Sequence, residues 1–283
     1  MQIHGFILGK VGQLHRKIRD VASQIHSGLP FSVTGGMVES FIRLCLISHD
    51  GRLRTTRYLP WYVRRPIANH FAYRDWAQIA ITVANQFPGG DYFEFGSEGF
   101  RTLRNFLSAF HLNGHTDRFP DTKFFAFDIF GEPKPSEALT DIEQPYFQVY
   151  KGLGGYHYRI AMRRLRRHGL MLDRIEIVKG HFEDTLNDAF KARLRAEKRR
   201  VGFAFLDCNI ASSYKTCFDF LQDFINDGRA FIYMDEYFQT NEVPGMFEDF
   251  CAAIRKRYGM RAHYVRNSGA FGALFILLKE PGR

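Results

Sequence analysis

The residues most able to do chemistry stand at the ends of short apolar runs. Tyr92-Phe93-Glu94-Phe95-Gly96-Ser97-Glu98-Gly99 places an acid ahead of a Gly-x-x-Gly turn, and a helix-like pattern follows from Phe100 to Phe110. Glycines let backbone approach a ligand, and a helix start offers unpaired N–H groups. The acid precedes the glycines instead of following them by some twenty residues. That order favours a ligand carrying a positive charge or hydroxyls near the turn, such as S-adenosylmethionine, over a dinucleotide pyrophosphate.

Further along, Asp207 closes the run Gly202–Asp207, and Asp235-Glu236 close the run Ala230–Asp235. If these runs are adjacent strands, three carboxylates meet at their tips. They would repel one another unless a positive charge lies between them. A hard divalent cation with oxygen ligands, Mg²⁺ for example, resolves that repulsion. It would lower the pKa of a bound substrate hydroxyl and orient it as a nucleophile. The alternative is that Asp207 caps a helix while Asp235 and Glu236 face solvent. Asp128 ends another apolar run, where its carboxylate can take two ribose hydroxyls or cap a following helix. His157, at a loop-to-helix junction, and His181, in Gly180-His181-Phe182, are the other candidate bases; His181 is also placed to meet an adenine edge. Isolated histidines more often serve structure or surface.

The elements that must hold these groups read as alternating strands and helices. Strands are expected at Tyr92–Phe95, Phe124–Asp128, Ile175–Lys179, Gly202–Asp207 and Ala230–Asp235. They are short continuous apolar runs, as in a parallel sheet covered on both faces. Helical patterns separate them at Phe100–Phe110, Tyr156–His168, Thr185–Lys198 and Tyr214–Ile225, with a loop at Asn113–Thr122. A helix at Met246–Tyr258 then precedes two runs, Ala262–Val265 and Ala273–Leu278, joined by Asn267-Ser268-Gly269 as an antiparallel hairpin. The expected fold is α/β: a Rossmann-like, mostly parallel seven-stranded sheet with a C-terminal antiparallel hairpin. That is the element order of class I methyltransferases. Residues 1–88 read as a helical extension, with patterns from Val11 to Ile25, Met37 to Ile47 and Trp76 to Phe87. Pro88-Gly89-Gly90 is a strong breaker, so the sheet domain is expected to span 89–283.

At 283 residues, 45% hydrophobic and 24% charged, the chain has the composition of a globular protein, and its 29 Phe predict a phenylalanine-rich core. The net charge of +9 is uneven: residues 1–90 hold eleven Lys/Arg against four acids, so +7 of it lies there. Such a third could face an anionic substrate, a membrane surface or nucleic acid, or be a solvated basic face. The four cysteines form no C-x-x-C pair, which argues against zinc and fits a reducing cytoplasm. No signal-peptide layout and no apolar run of the ~20 residues that span a bilayer is found.

With those residues in place, the chain resembles the macrocin/mycinamicin O-methyltransferase family over roughly residues 90–260. The resemblance rests on Gly180-His181-Phe182-Glu183-Asp184-Thr185-Leu186, Phe205-Leu206-Asp207-Cys208-Asn209, Asp235-Glu236-Tyr237 and Pro244-Gly245. In the family's G-W-F-x-D-T-L segment, His181 replaces the tryptophan. In its D-x-D, Asn209 replaces the second acid, and Ala211-Ser212-Ser213 stands where the family has Tyr-Glu-Ser. The resemblance implies S-adenosylmethionine-dependent, metal-dependent methylation of sugar hydroxyls of natural products. It implies that Asp207, Asp235 and Glu236 hold Mg²⁺ and that Asp207 also takes the substrate proton. It further implies that Glu94, Gly96, Ser97 and Gly99, with Asp128 and the Gly180-His181-Phe182 turn, cradle the cofactor.

The expected partner is a small-molecule acceptor, not nucleic acid, and a homo-oligomer is expected, with residues 1–88 as dimerisation arm or lid. The competing reading is a degenerate methyltransferase fold that binds an anionic partner through its basic N-terminal third, around Arg57, Tyr58, Trp61, Tyr62, Arg64 and Arg65.

Overall fold

Phenylalanines set the architecture. In the computed structural model, β1 (Asp91–Phe95) and β2 (Phe124–Asp128) lie parallel with Phe93 opposite Phe125 and Phe95 opposite Phe127. The two ring pairs stack at centroid separations of 4.6 and 4.8 Å. Offset ring pairs of this kind contribute about 0.5–1.5 kcal/mol each beyond the area they bury. The structure describes residues 76–131, 154–238, 242–268 and 271–280, with the side chains of 154–157 excepted. The helical patterns expected from Val11 to Ile25 and Met37 to Ile47, and the basic aromatic segment around Arg57, lie outside the described residues.

The remaining strands are β3 (Ile175–Lys179), β4 (Val201–Leu206), β5 (Arg229–Met234), β6 (Met260–Ser268) and β7 (Gly272–Lys279). They form one seven-stranded sheet in the order β3-β2-β1-β4-β5-β7-β6. The first five run parallel, and β7 is antiparallel to both β5 and β6. The expected Rossmann-like sheet with a terminal hairpin is therefore what the chain builds.

Helices cover both faces. Residues 76–85 form the described part of α1. Then come α2 (Arg101–Leu112), α3 (His115–Arg118), α4 (Gly154–His168), α5 (Phe182–Thr185), α6 (Asp188–Ala196), α7 (Ala211–Leu221) and α8 (Glu242–Tyr258). One core face gathers Phe93, Phe95, Phe125 and Phe127 with Phe218 and Phe220 of α7 and Phe247 and Phe250 of α8. The other gathers Tyr92, Phe124, Phe203, Phe205 and Tyr233 with Phe106 and Phe110 of α2 and Ile79, Val83 and Phe87. Successive strand residues point to opposite faces, so both must be apolar when both are covered.

Three local expectations are corrected. The helix expected over Thr185–Lys198 starts later, as α6 at Asp188, with Thr185 ending the separate α5, because the Asn187 side chain accepts the Phe190 N–H at 3.0 Å and caps a new helix start. The loop expected at Asn113–Thr122 contains α3. It is held by Arg174, which donates to the carbonyls of Thr122 at 2.9 Å and Phe119 at 2.6 Å. Finally, β6 runs from Met260 to Ser268, longer than expected, because β7 offers it a partner along that whole length. Among the described residues no helix is long and apolar enough to cross a membrane.

Candidate functional site

The carboxyl ends of β1, β2, β4 and β5 are tied to one another rung by rung. Gly96 N–H donates to Phe127 O at 2.9 Å, Asp207 N–H to Phe95 O at 2.9 Å, and Asp235 N–H to Leu206 O at 2.9 Å. Gly180 N–H donates to Asp128 O at 3.0 Å, which adds the tip of β3. Parallel ladder bonds thus continue past the strands into the tip residues, and the chain reverses its direction of growth between β1 and β4. Ligands of open parallel sheets bind beyond such a switch point.

The turn after β1 is shaped by two devices. Gly96 has φ +89°, and a Cβ there would overlap the carbonyl oxygen of Asp207, so only glycine fits. Asp128 supplies the second device: its Oδ2 accepts the Glu98 N–H and its Oδ1 accepts the Phe130 N–H, both at 2.8 Å. It organises the turns after β1 and β2 and caps no helix within the described residues. Gly99 differs from Gly96, because nothing lies within 4 Å of where its Cβ would be. Ser97 is buried and its hydroxyl donates to Glu94 O at 3.2 Å.

Glu94 is buried next to this turn. It is 1% exposed and accepts a hydrogen bond from the Tyr92 hydroxyl, two residues earlier on the same strand face. Burial pushes its carboxyl up to about 8, against the opposing effect of that hydrogen bond.

The acids after β4 and β5 do converge. One carboxylate oxygen from each of Asp207, Asp235 and Glu236 lies within 4.8 Å of the others. Glu236 is 7% exposed and accepts from the Tyr214 hydroxyl of α7. Asp235 Oδ1 accepts from Trp76 Nε1 at 2.8 Å and from the Tyr233 hydroxyl at 2.6 Å. The alternative of an Asp207 helix cap does not occur: α7 is preceded by Ile210, with no side-chain cap. Burial, with Glu236 and Asp235 adding repulsion, pushes Asp207 well above the carboxylate range. Burial and Asp235 push Glu236 up to about 7. Three oxygen-only donors this close together, with Asp235 repelling both Asp207 and Glu236, suit a hard dication, so the residues present fit Mg²⁺.

The third tip is built for shape. Gly180 has φ +145°, and a Cβ there would lie 2.7 Å from Thr185 Cγ2. His181 precedes α5, and its carbonyl accepts the Thr185 hydroxyl at 2.9 Å. Phe182 packs edge-on against Phe95 at 5.8 Å and is 9% exposed. His157 lies in α4, but its side chain is outside the described residues.

Trp76, Tyr214 and Tyr233 were not legible as site residues. Tyr233 had a weak signal, because the period-two rule places it on the face of Asp235. Trp76 had none, lying 159 positions away from Asp235.

The chain matches no protein-family model and no curated protein. Among solved structures it is similar to the O-methyltransferase NovP, at 15% identity over 73% of this chain and 78% of that one, with a TM-score of 0.50. The calicheamicin methyltransferase CalS11 aligns at 17% identity over 93% and 91% of the two chains, with a TM-score of 0.47. The O-methyltransferase TomG from Streptomyces achromogenes aligns at 14% identity over 72% and 79%, also with a TM-score of 0.47. At such identity, the likeness to NovP establishes that this sheet is a methyltransferase-type fold.

Proposed function

We propose that this protein is an S-adenosylmethionine-dependent O-methyltransferase that uses a divalent cation, Mg²⁺ first among them, and acts on a small-molecule hydroxyl. The acceptor class we favour is a sugar or sugar-containing natural product, on the motif resemblance at Gly180–Leu186, Asp207 and Asp235-Glu236. The observation that carries the reading is the meeting of Asp207, Asp235 and Glu236 beside the Gly96 turn, with Asp207 backbone packed against that turn. The fold shared with NovP, itself an O-methyltransferase, supports it.

When bound, the cofactor supplies an electrophilic methyl on a sulfonium, and the cation lowers the pKa of the acceptor hydroxyl. The chain's own residues do the rest. Gly96, Ser97 and Gly99 let backbone approach the cofactor, with Glu94 buried next to the turn. Asp128 fixes that turn and offers its remaining lone pairs to ribose hydroxyls. Gly180, His181 and Phe182 form the adenine side. Asp207 takes the acceptor proton. A bound S-adenosylmethionine would supply the methyl group, and the acceptor oxygen, having given its proton to Asp207, would receive it. His157 is the second candidate base. Residues 1–88 serve in this reading as dimerisation arm or lid of a cytoplasmic homo-oligomer, apart from Ile79, Val83 and Phe87, which belong to the core of the sheet domain. The competing reading, a basic surface for an anionic partner, falls on residues outside those described.

Calorimetric titration with S-adenosylmethionine, with and without Mg²⁺, tests cofactor and metal together. Cofactor heat in both conditions and cation heat in the metal arm are expected. Absence of cofactor binding ends the reading.

A further inference from the structure

Asp235 is held by two aromatic donors from different parts of the chain. Trp76 sits at the start of the described part of α1, ahead of the sheet, and its indole N–H reaches Asp235 Oδ1 at 2.8 Å. Tyr233, on β5, places its hydroxyl on the same oxygen at 2.6 Å. Neither ring is placed by this hydrogen bond alone. Trp76 packs edge-on against Phe205 at 6.1 Å, and Tyr233 stacks on Phe205 at 4.6 Å. One buried phenylalanine of β4, 1% exposed, therefore seats both donors. Gly272 of β7 approaches the Tyr233 hydroxyl so closely that no side chain could stand there.

Two donors converging on one oxygen fix the plane of a carboxylate. Rotation about its Cβ–Cγ bond would break both bonds at once, so the direction of Oδ2 is set as well. A carboxylate free to rotate would have to be ordered when a cation arrives; this one is ordered beforehand. We propose that Trp76 is a positioning residue for cation binding: with Tyr233, it presents the Asp235 carboxylate to the cation, so that a residue preceding the sheet sets the metal affinity of a site at the tips of β4 and β5. This rests on the metal reading above. It also makes the indole a reporter, because its N–H partner is the group that the cation would draw upon.

The test uses the full-length chain and Mg²⁺ as the probe. Trp76→Phe keeps a ring against Phe205 and removes only the donor. Its Mg²⁺ dissociation constant is expected to rise about tenfold, in the range found when partners of metal-binding side chains are lost. Its S-adenosylmethionine affinity and melting temperature are expected to stay near wild type. Tyr233→Phe is expected to do the same, and serves if Trp76→Phe folds poorly. Trp61 and Trp76 are the chain's two tryptophans. In a Trp61→Phe background, Mg²⁺ should change the emission of Trp76, and Asp235→Asn should abolish that change. Unchanged Mg²⁺ affinity in both donor variants, with affinity lost in Asp235→Asn, overturns the proposal and leaves the metal reading standing. Wild-type protein that binds S-adenosylmethionine but no Mg²⁺ overturns the metal reading and the proposal with it.

Discussion

A Cβ built at Gly96 would overlap the carbonyl oxygen of Asp207 and lie 2.8 Å from its carbonyl carbon. The proposed cofactor turn and the first residue of the acidic cluster are thus in backbone contact across β1 and β4. Whatever shifts one shifts the other.

Gly96→Ala should therefore damage both. The positive φ costs about 1–3 kcal/mol for a side chain, and the overlap is with backbone that cannot rotate away. We expect a loss of at least that stability in urea unfolding, with cofactor binding lost. Gly99→Ala meets open space and should stay within about 0.5 kcal/mol. Equal losses in the two variants would mean that the turn is not built as described.

Asp207→Asn and Asp235→Asn should separate chemistry from cofactor binding. Removing a general base costs on the order of 10²–10⁴ in rate. Turnover should fall by at least the lower bound, and titrated S-adenosylmethionine affinity should stay near wild type. Full activity of both variants in a chelator would remove the metal mechanism.

Glu94 should make stability fall as pH rises. Its carboxyl ordinarily ionises near 4.5 and is held up to about 8 in the fold. Between these values the unfolded chain gives up its proton and the folded chain keeps it, so raising the pH favours unfolding. The loss is on the order of 3–5 kcal/mol across the window, at ~1.4 kcal/mol per pH unit. Asp91, pushed up to about 6 by burial, adds in the same direction at lower pH. Urea unfolding between pH 5 and 9 should show the decline in wild type and a shallower one in Glu94→Gln. Identical slopes would exclude Glu94 as the source.

A chain beginning at residue 89 should not fold. Residues before Pro88 carry Ile79 and Val83 at 0% and Phe87 at 5% exposure. Each such side chain contributes about 1.5–3 kcal/mol by burial, a sum comparable with the ~5–15 kcal/mol of a whole domain. Circular dichroism and gel filtration would decide it, and a compact cooperative product would show that α1 is dispensable.

The sheet was legible in the sequence because its strands are continuous apolar runs that end in Gly, Asp or Glu, and periodicity depends only on near neighbours. The tips at Gly96, Asp128, Gly180, Asp207 and Asp235-Glu236 could be read for the same reason: a strand's end is a local event. The break at Leu186–Asn187 was missed because apolar spacing runs through it and only the Asn187 cap reveals it. The partners of the acids needed three dimensions. That Glu94 is buried next to the turn, that Asp128 holds the turns after β1 and β2, and that Trp76 reaches Asp235 all follow from strand order and helix packing. Sequence determines which residues stand at the tips. Tertiary structure decides which of them meet, because contacts between side chains 159 positions apart leave no periodic trace in the chain.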